Sequence, residues 1–175
     1  MVRLRLDRRV QGRLDPSDVH QEAYLDVAYR APEYAASPTM PPYLWLRFLT
    51  GQRLLQLHRQ HLGAQMRDAG QEVSLYRGAL PMASSVSLAA QLLGRFTSVS
   101  EAAARAELQV RLQTVLNGMD PLDREVLALR HFEELTNTET AEVLGIRKSA
   151  ASNRSIRALK RLKEILSSMP GFLER

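Results

Sequence analysis

Cysteine is absent from the chain, which excludes disulfides and thiolate-bound metal. Histidine is scarce. Of His20, His58, His61 and His131, only His58 and His61 stand three apart, and no acid or third histidine accompanies them, so a zinc site is not expected. Long apolar runs are missing as well. None approaches the ~20 residues of a membrane span, and the opening MVRLRLDRR has no signal-peptide core. The expected setting is therefore the cytoplasm. No glycine-rich phosphate loop, metal cluster or nucleophile–base pair is found, so neither enzymatic activity nor a cofactor is expected. Strand signals are few.

What is there reads as helix. At 175 residues the chain can form one ordinary domain or two small ones. Its net charge of +5 is modest, but the distribution is uneven. From Asp120 to Glu142 acids outnumber bases, whereas Lys148 to Lys163 holds six bases (Lys148, Arg154, Arg157, Lys160, Arg161, Lys163) and no acid. That change of sign points either to an anionic partner or to a solvated helix face.

Asp15-Pro16-Ser17-Asp18 has the composition of a helix start. The helix is expected to run to about Arg30, before Pro32, with a loop from Ala31 to Pro42. A strongly apolar helix follows Pro41-Pro42 and ends near His61. Glycines and serines loosen the pattern from Gly63 to Val99, which reads as a linker with a short helix at Leu88 to Leu93. Ser98 to Glu101 has capping-box spacing and opens a helix to Asn117, closed by Gly118. Asp120-Pro121-Leu122-Asp123 repeats the earlier start signal, for a helix to about Glu134. Thr136 to Glu139 is another capping box, opening a short helix to Leu144, with Gly145 suited to the left-handed conformation.

Short helix, glycine turn and longer basic helix make up a helix-turn-helix pattern. On a wheel of the last helix, Ala151, Ser155, Ala158, Leu159, Leu162 and Leu166 form an apolar face. Ser149, Ser152, Asn153, Ile156, Arg157 and Lys160 form the opposite one. Short polar groups there would let the helix enter a major groove, and bases farther along would hold phosphates. The alternative is a helical hairpin with a solvated basic face.

Leu122 to Leu127, Ala141 to Ile146 and Ser149 to Leu162 together resemble the fourth domain of bacterial RNA polymerase sigma factors. Asp15 to Leu25 resembles the core-binding helix of the second domain, and Tyr43-Leu44-Trp45-Leu46 with the helix after it resembles the promoter-melting helix. The pair in this order resembles the extracytoplasmic-function class of the sigma-70 family. The resemblance implies an all-α chain of two small helical domains. Residues 1–62 would be domain two, 63–97 a flexible linker, and 98–175 domain four. It also implies core polymerase (β and β′ subunits) and promoter DNA as partners, with an anti-sigma protein common in the class.

By position, Asp18, Gln21, Glu22 and Leu25 would meet the β′ clamp helices. Their spacing puts them on one helix stripe, although Asp18 can equally serve its own helix end. Tyr43, Arg47, Phe48 and Arg53 would engage the melted −10 element, because aromatics beside bases can stack unpaired bases. Core packing is the competing reading for Tyr43 and Phe48 and the preferred one for Trp45. Ser149, Ser152, Asn153, Ile156, Arg157 and Lys160 would read the −35 element. The sequence departs from the family in having only Met1 to Leu14 before the Asp15 motif, and in carrying Gln52 and Gln56 where the family has an asparagine and an aspartate. Two other readings are a stand-alone helix-turn-helix regulator and a recombinase-like nuclease, for which Tyr43 with Arg47 is too little.

Overall fold

Local hydrogen bonds from polar side chains set where the helices begin. In the computed structural model, which describes residues 1–7, 9–10, 12–62, 80–96 and 102–167, every regular element is helical. They are α1 (Val2–Arg5), α2 (Pro16–Ala36), α3 (Pro42–Leu62), α4 (Ser85–Phe96), α5 (Ala102–Asn117), α6 (Pro121–Leu127), α7 (Asn137–Leu144) and α8 (Lys148–Ser167), with a π-helical turn at Ala128–Phe132. No helix among the described residues is long and apolar enough to cross a membrane. The chain divides into two units, one of Met1–Pro81 with Glu142–Gly145 and the other of Met82–Ala141 and Ile146–Arg175.

In the first unit, Asp15 caps α2 by accepting from Ser17 N–H at 2.8 Å, and Asp18 returns the bond by accepting from Asp15 N–H at 2.9 Å. Both N-terminal donors are thereby satisfied. The helix does not stop near Arg30. It continues through Pro32 to Ala36, which shortens the expected loop to Ser37–Pro41. Proline deprives the Ala28 carbonyl of its N–H donor, but Ala28 and Pro32 are both exposed, so water can take that donor's place. Tertiary contacts hold the extra turn. Tyr34 stacks on Trp45 with centroids 4.3 Å apart and planes 15° from parallel, and its hydroxyl donates to the Met40 carbonyl at 2.6 Å.

Among the described residues of the first fourteen, α1 is a single helical turn, yet this segment supplies part of the core. Val2, Leu6, Val10 and Leu14, one every four residues, pack with Val19, Leu54 and Leu57. His58 is buried beside them, and its Nε2 accepts from Asp7 N–H at 3.3 Å. Gly51 sits mid-helix in α3 because the Leu80 side chain occupies the space a Cβ would need.

In the second unit the expected linker gives way to structure before its end. Ser85–Phe96 forms α4, longer than the short helix expected at Leu88 to Leu93, and Leu88, Ala89, Leu92 and Leu93 are buried. Their spacing of three and four lines one stripe, and α4 packs against α5, whose Leu112 and Leu116 are fully buried. The Ser98–Glu101 capping box and residues 63–79 lie outside the described residues.

Asp120 caps α6 through Leu122 N–H at 2.8 Å and Asp123 N–H at 3.3 Å. The helix expected to reach Glu134 widens instead. Glu133 N–H reaches back five residues to the Ala128 carbonyl, and Glu134 then turns the chain with a φ of 58°.

Candidate nucleic-acid interface

The turn between α7 and α8 is built by short-range bonds. Thr136 and Glu139 form the expected box. Thr136 N–H donates to the Glu139 carboxylate at 2.7 Å, and Glu139 N–H donates to the Thr136 hydroxyl at 3.2 Å. Gly145 adopts a φ of 61°, which lets Ile146 N–H close back on the Ala141 carbonyl at 3.0 Å. That is the bonding of a glycine C-cap. Asn137 Nδ2 donates to the Lys148 carbonyl at 3.0 Å, tying the start of α7 to the first residue of α8. Thr140 and Ala141 are buried.

α8 packs against α6. Ala151, Ala158 and Leu162 form its buried face, with Ser155 and Leu166 half-buried. Leu159 departs from the expected apolar face. It is 41% exposed and stands at the lip of an apolar groove shared with Leu88, Leu92, Leu116 and Leu162. The wheel thus turns slightly toward the small residues, since small side chains let two packed helices approach closely. On the open side Ser149, Asn153, Ile156, Arg157 and Lys160 are exposed and Ser152 is half-buried. Ile156, at 64% exposure, is a large apolar group facing solvent.

Arg157 is not a free cation. Its Nε and Nη2 donate to the Asp123 carboxylate at 2.6 and 2.9 Å. Arg154 Nη1 donates to the same carboxylate at 2.6 Å and to Asp120 at 3.1 Å. Asp123 is almost buried. The Arg157 hydrogen bond, ahead of the contribution from Arg154, holds its carboxyl below the ordinary value of 3.8. Asp123 and Arg154 carry this network, although in the sequence they stand only as part of a helix start and of the basic run. A change of charge sign between residues 142 and 148 was visible, but the pairing across some thirty residues depends on α6 and α8 coming together.

The other candidate residues lie in the first unit. Asp18, Gln21, Glu22 and Leu25 are exposed on α2, away from its buried Val19 and Ala23. Tyr24, Leu25 and Tyr29 are 70%, 66% and 87% exposed. Asp18 completes its own helix cap, as above. Glu22 accepts from Arg53 Nη1 at 3.0 Å, and Asp26 takes Arg53 Nε and Nη2 at 2.9 and 2.6 Å. Arg53, expected to contact DNA, is half-buried and ties α3 to α2, because a carboxylate pair lies within reach of its fork. Tyr43 is 49% exposed at the start of α3, while Arg47, Phe48 and Trp45 are half-buried. Tyr34, missed because Pro32 read as a helix stop, is the ring against which Trp45 rests. Among the described residues no group of three or more histidine, aspartate or glutamate side chains could hold a metal ion.

The fold and this site define a helix-turn-helix protein. Residues 115–164 match the family description Sigma-70, region 4. The chain is 34% identical over 71 residues to the RNA polymerase sigma-E factor of Streptomyces avermitilis, a match covering 41% of this chain and 40% of that protein. The chain thus spans about two fifths of the length of the curated relative it matches. No solved structure matches it. Residues 115–164 are thus similar to region 4 of the sigma-70 family.

Proposed function

We propose that the chain is an extracytoplasmic-function sigma factor, which binds core RNA polymerase, directs it to particular promoters and assists opening of the duplex. The observation that carries this reading is α8. Within a sigma-70 region 4 it buries Ala151, Ala158 and Leu162 and leaves Ser149, Asn153, Ile156 and Lys160 open to a groove. Residues 1–62 act as domain two, and domain four starts at Ser85, where α4 begins to supply its core. The exposed stripe of Gln21, Glu22 and Leu25 is the surface offered to the β′ subunit. Tyr43, Arg47 and Phe48 stand at the strand-opening end of α3, and an aromatic with a neighbouring cation suits an unpaired base. Arg53 serves domain two from within.

Transcription in vitro tests the proposal. Purified chain, core polymerase and a genomic promoter library are combined, and the start sites are sequenced. Starts clustered behind a shared upstream and downstream element are the expected outcome. Sequence-selective binding by the chain alone, with no polymerase-dependent starts, would replace this reading with that of a stand-alone regulator.

A further inference from the structure

A guanidinium carries two separate pairs of parallel donors. One is the side edge, made by Nε and Nη2, and the other is the end fork, made by Nη1 and Nη2. In Arg157 the side edge is fully used, since Nε and Nη2 both donate to Asp123. The arginine side chain is nonetheless 60% exposed, against 6% for Asp123. No described residue bonds its Nη1. Asp123 is itself held from behind by Arg154, by the α6 N-terminus and by the packing of α6 on α8. A long side chain that normally samples many rotamers is therefore fixed at its base, with its end fork left open.

We propose that Asp123 is a positioning residue for sequence reading, and that it presents the end fork of Arg157 to one guanine of the upstream element. The proposal rests on the DNA-binding reading above. A guanine offers two acceptors, O6 and N7, in the major groove, and they match an arginine fork. A phosphate contact needs no fixed orientation, so a buttress of this kind adds nothing to it. Two arginines face two carboxylates, Asp120 and Asp123, so the cluster is neutral, and the attraction to DNA comes from the exposed Lys148, Lys160 and Lys163 of the same helix. Arg157 lies one helical turn beyond Asn153, between the exposed Ile156 and the buried Ala158, on the border of the open face.

The test uses the full chain and a pool of duplexes randomised over eight base pairs, with bound sequences counted. Wild type, Asp123→Asn, Arg157→Lys and the double variant are compared, with thermal melting as a check on folding. Wild type should enrich guanine at one position by about tenfold or more, the size expected of a bidentate contact. Asp123→Asn and Arg157→Lys should each flatten that one position and leave the others, and the double variant should be no worse than either. In Asp123→Asn the slope of log affinity against log salt should also steepen by about one per arginine released to phosphate.

Arg157→Lys keeps a cation beside Asp123 but has no fork, so a guanine preference that survives in it overturns the proposal even if Asp123→Asn fails to fold. Uniform weakening on all duplexes by Arg157→Lys, or an unchanged guanine preference in folded Asp123→Asn, overturns the proposal and leaves the DNA reading standing. Absence of any sequence preference in wild type overturns the proposal, while the polymerase-dependent starts decide the sigma reading separately.

Discussion

At the scale of single residues, the second unit contains one unfavourable backbone choice and one buried charge held by two partners. Glu134 turns the chain with a φ of 58°, a region that disfavours side chains with a Cβ by about 1–2 kcal/mol. Glycine there removes that cost but adds about 0.5–1 kcal/mol of unfolded-state entropy. Glu134→Gly should therefore stabilise the second unit by roughly 0.5–1 kcal/mol, read as a higher melting temperature. An unchanged or lower one would mean that the glutamate side chain offsets its own strain. Asp123 contributes in a pH-dependent way. Its carboxyl titrates below the ordinary 3.8 because Arg157 and then Arg154 hydrogen-bond it. A carboxylate whose folded value is depressed stabilises above its unfolded value and loses that contribution as pH falls through the folded one. The melting difference between wild type and Asp123→Asn should thus be constant from neutral pH down to about pH 4 and shrink below it. A gap that already closes at pH 6 would contradict the assignment.

At the scale of elements, α8 is decided by how closely it approaches α6. Ala158 is 1% exposed and Leu159 41% exposed, although the two are adjacent. Ala158→Asp buries a carboxylate without a partner and should cost roughly 3 kcal/mol or more. Leu159→Asp removes a half-covered side chain and should cost about 1–2 kcal/mol. Urea denaturation followed by helicity would separate them, and equal midpoints would show that α8 is rotated from its described setting. Sequence periodicity placed Ala151, Ala158 and Leu162 correctly and misplaced Leu159, because a wheel gives the face of a helix but not the depth of its neighbour. Helix starts at Asp15, Asp120 and Thr136 and the turn at Gly145 were legible, since each is made by residues within four positions of one another. The continuation of α2 past Pro32 was not, because it depends on Tyr34 meeting Trp45. Nor were the ion pairs of Arg53 and Arg157, whose partners lie 27 to 34 residues away in sequence. The candidate DNA face on α8 was therefore readable as a list of residues, while the distinction between free and tethered cations was not.

At the scale of the whole chain, part of the charge asymmetry that pointed outward is resolved inward. Asp120 and Asp123, from the acidic stretch, bind Arg154 and Arg157 from the basic one, so the two stretches hold the second unit together as well as shaping its field. The same unit includes a helix, α4, that the charge and glycine pattern does not mark. Leu88, Leu92 and Leu93 of α4 are buried in a unit that also contains the buried Leu112 and Leu116 of α5. Each such leucine contributes about 1.5–3 kcal/mol when covered, and a small domain has only ~5–15 kcal/mol in total. A fragment of residues 82–175 should therefore be helical and melt in one cooperative step. A fragment of residues 98–175 keeps the whole helix-turn-helix but uncovers α5, and should lose cooperative melting and expose apolar surface to a hydrophobic dye. If the shorter fragment melts as sharply and as high as the longer one, α4 is a passenger on the fold, and domain four begins where the charge and glycine pattern alone would place it.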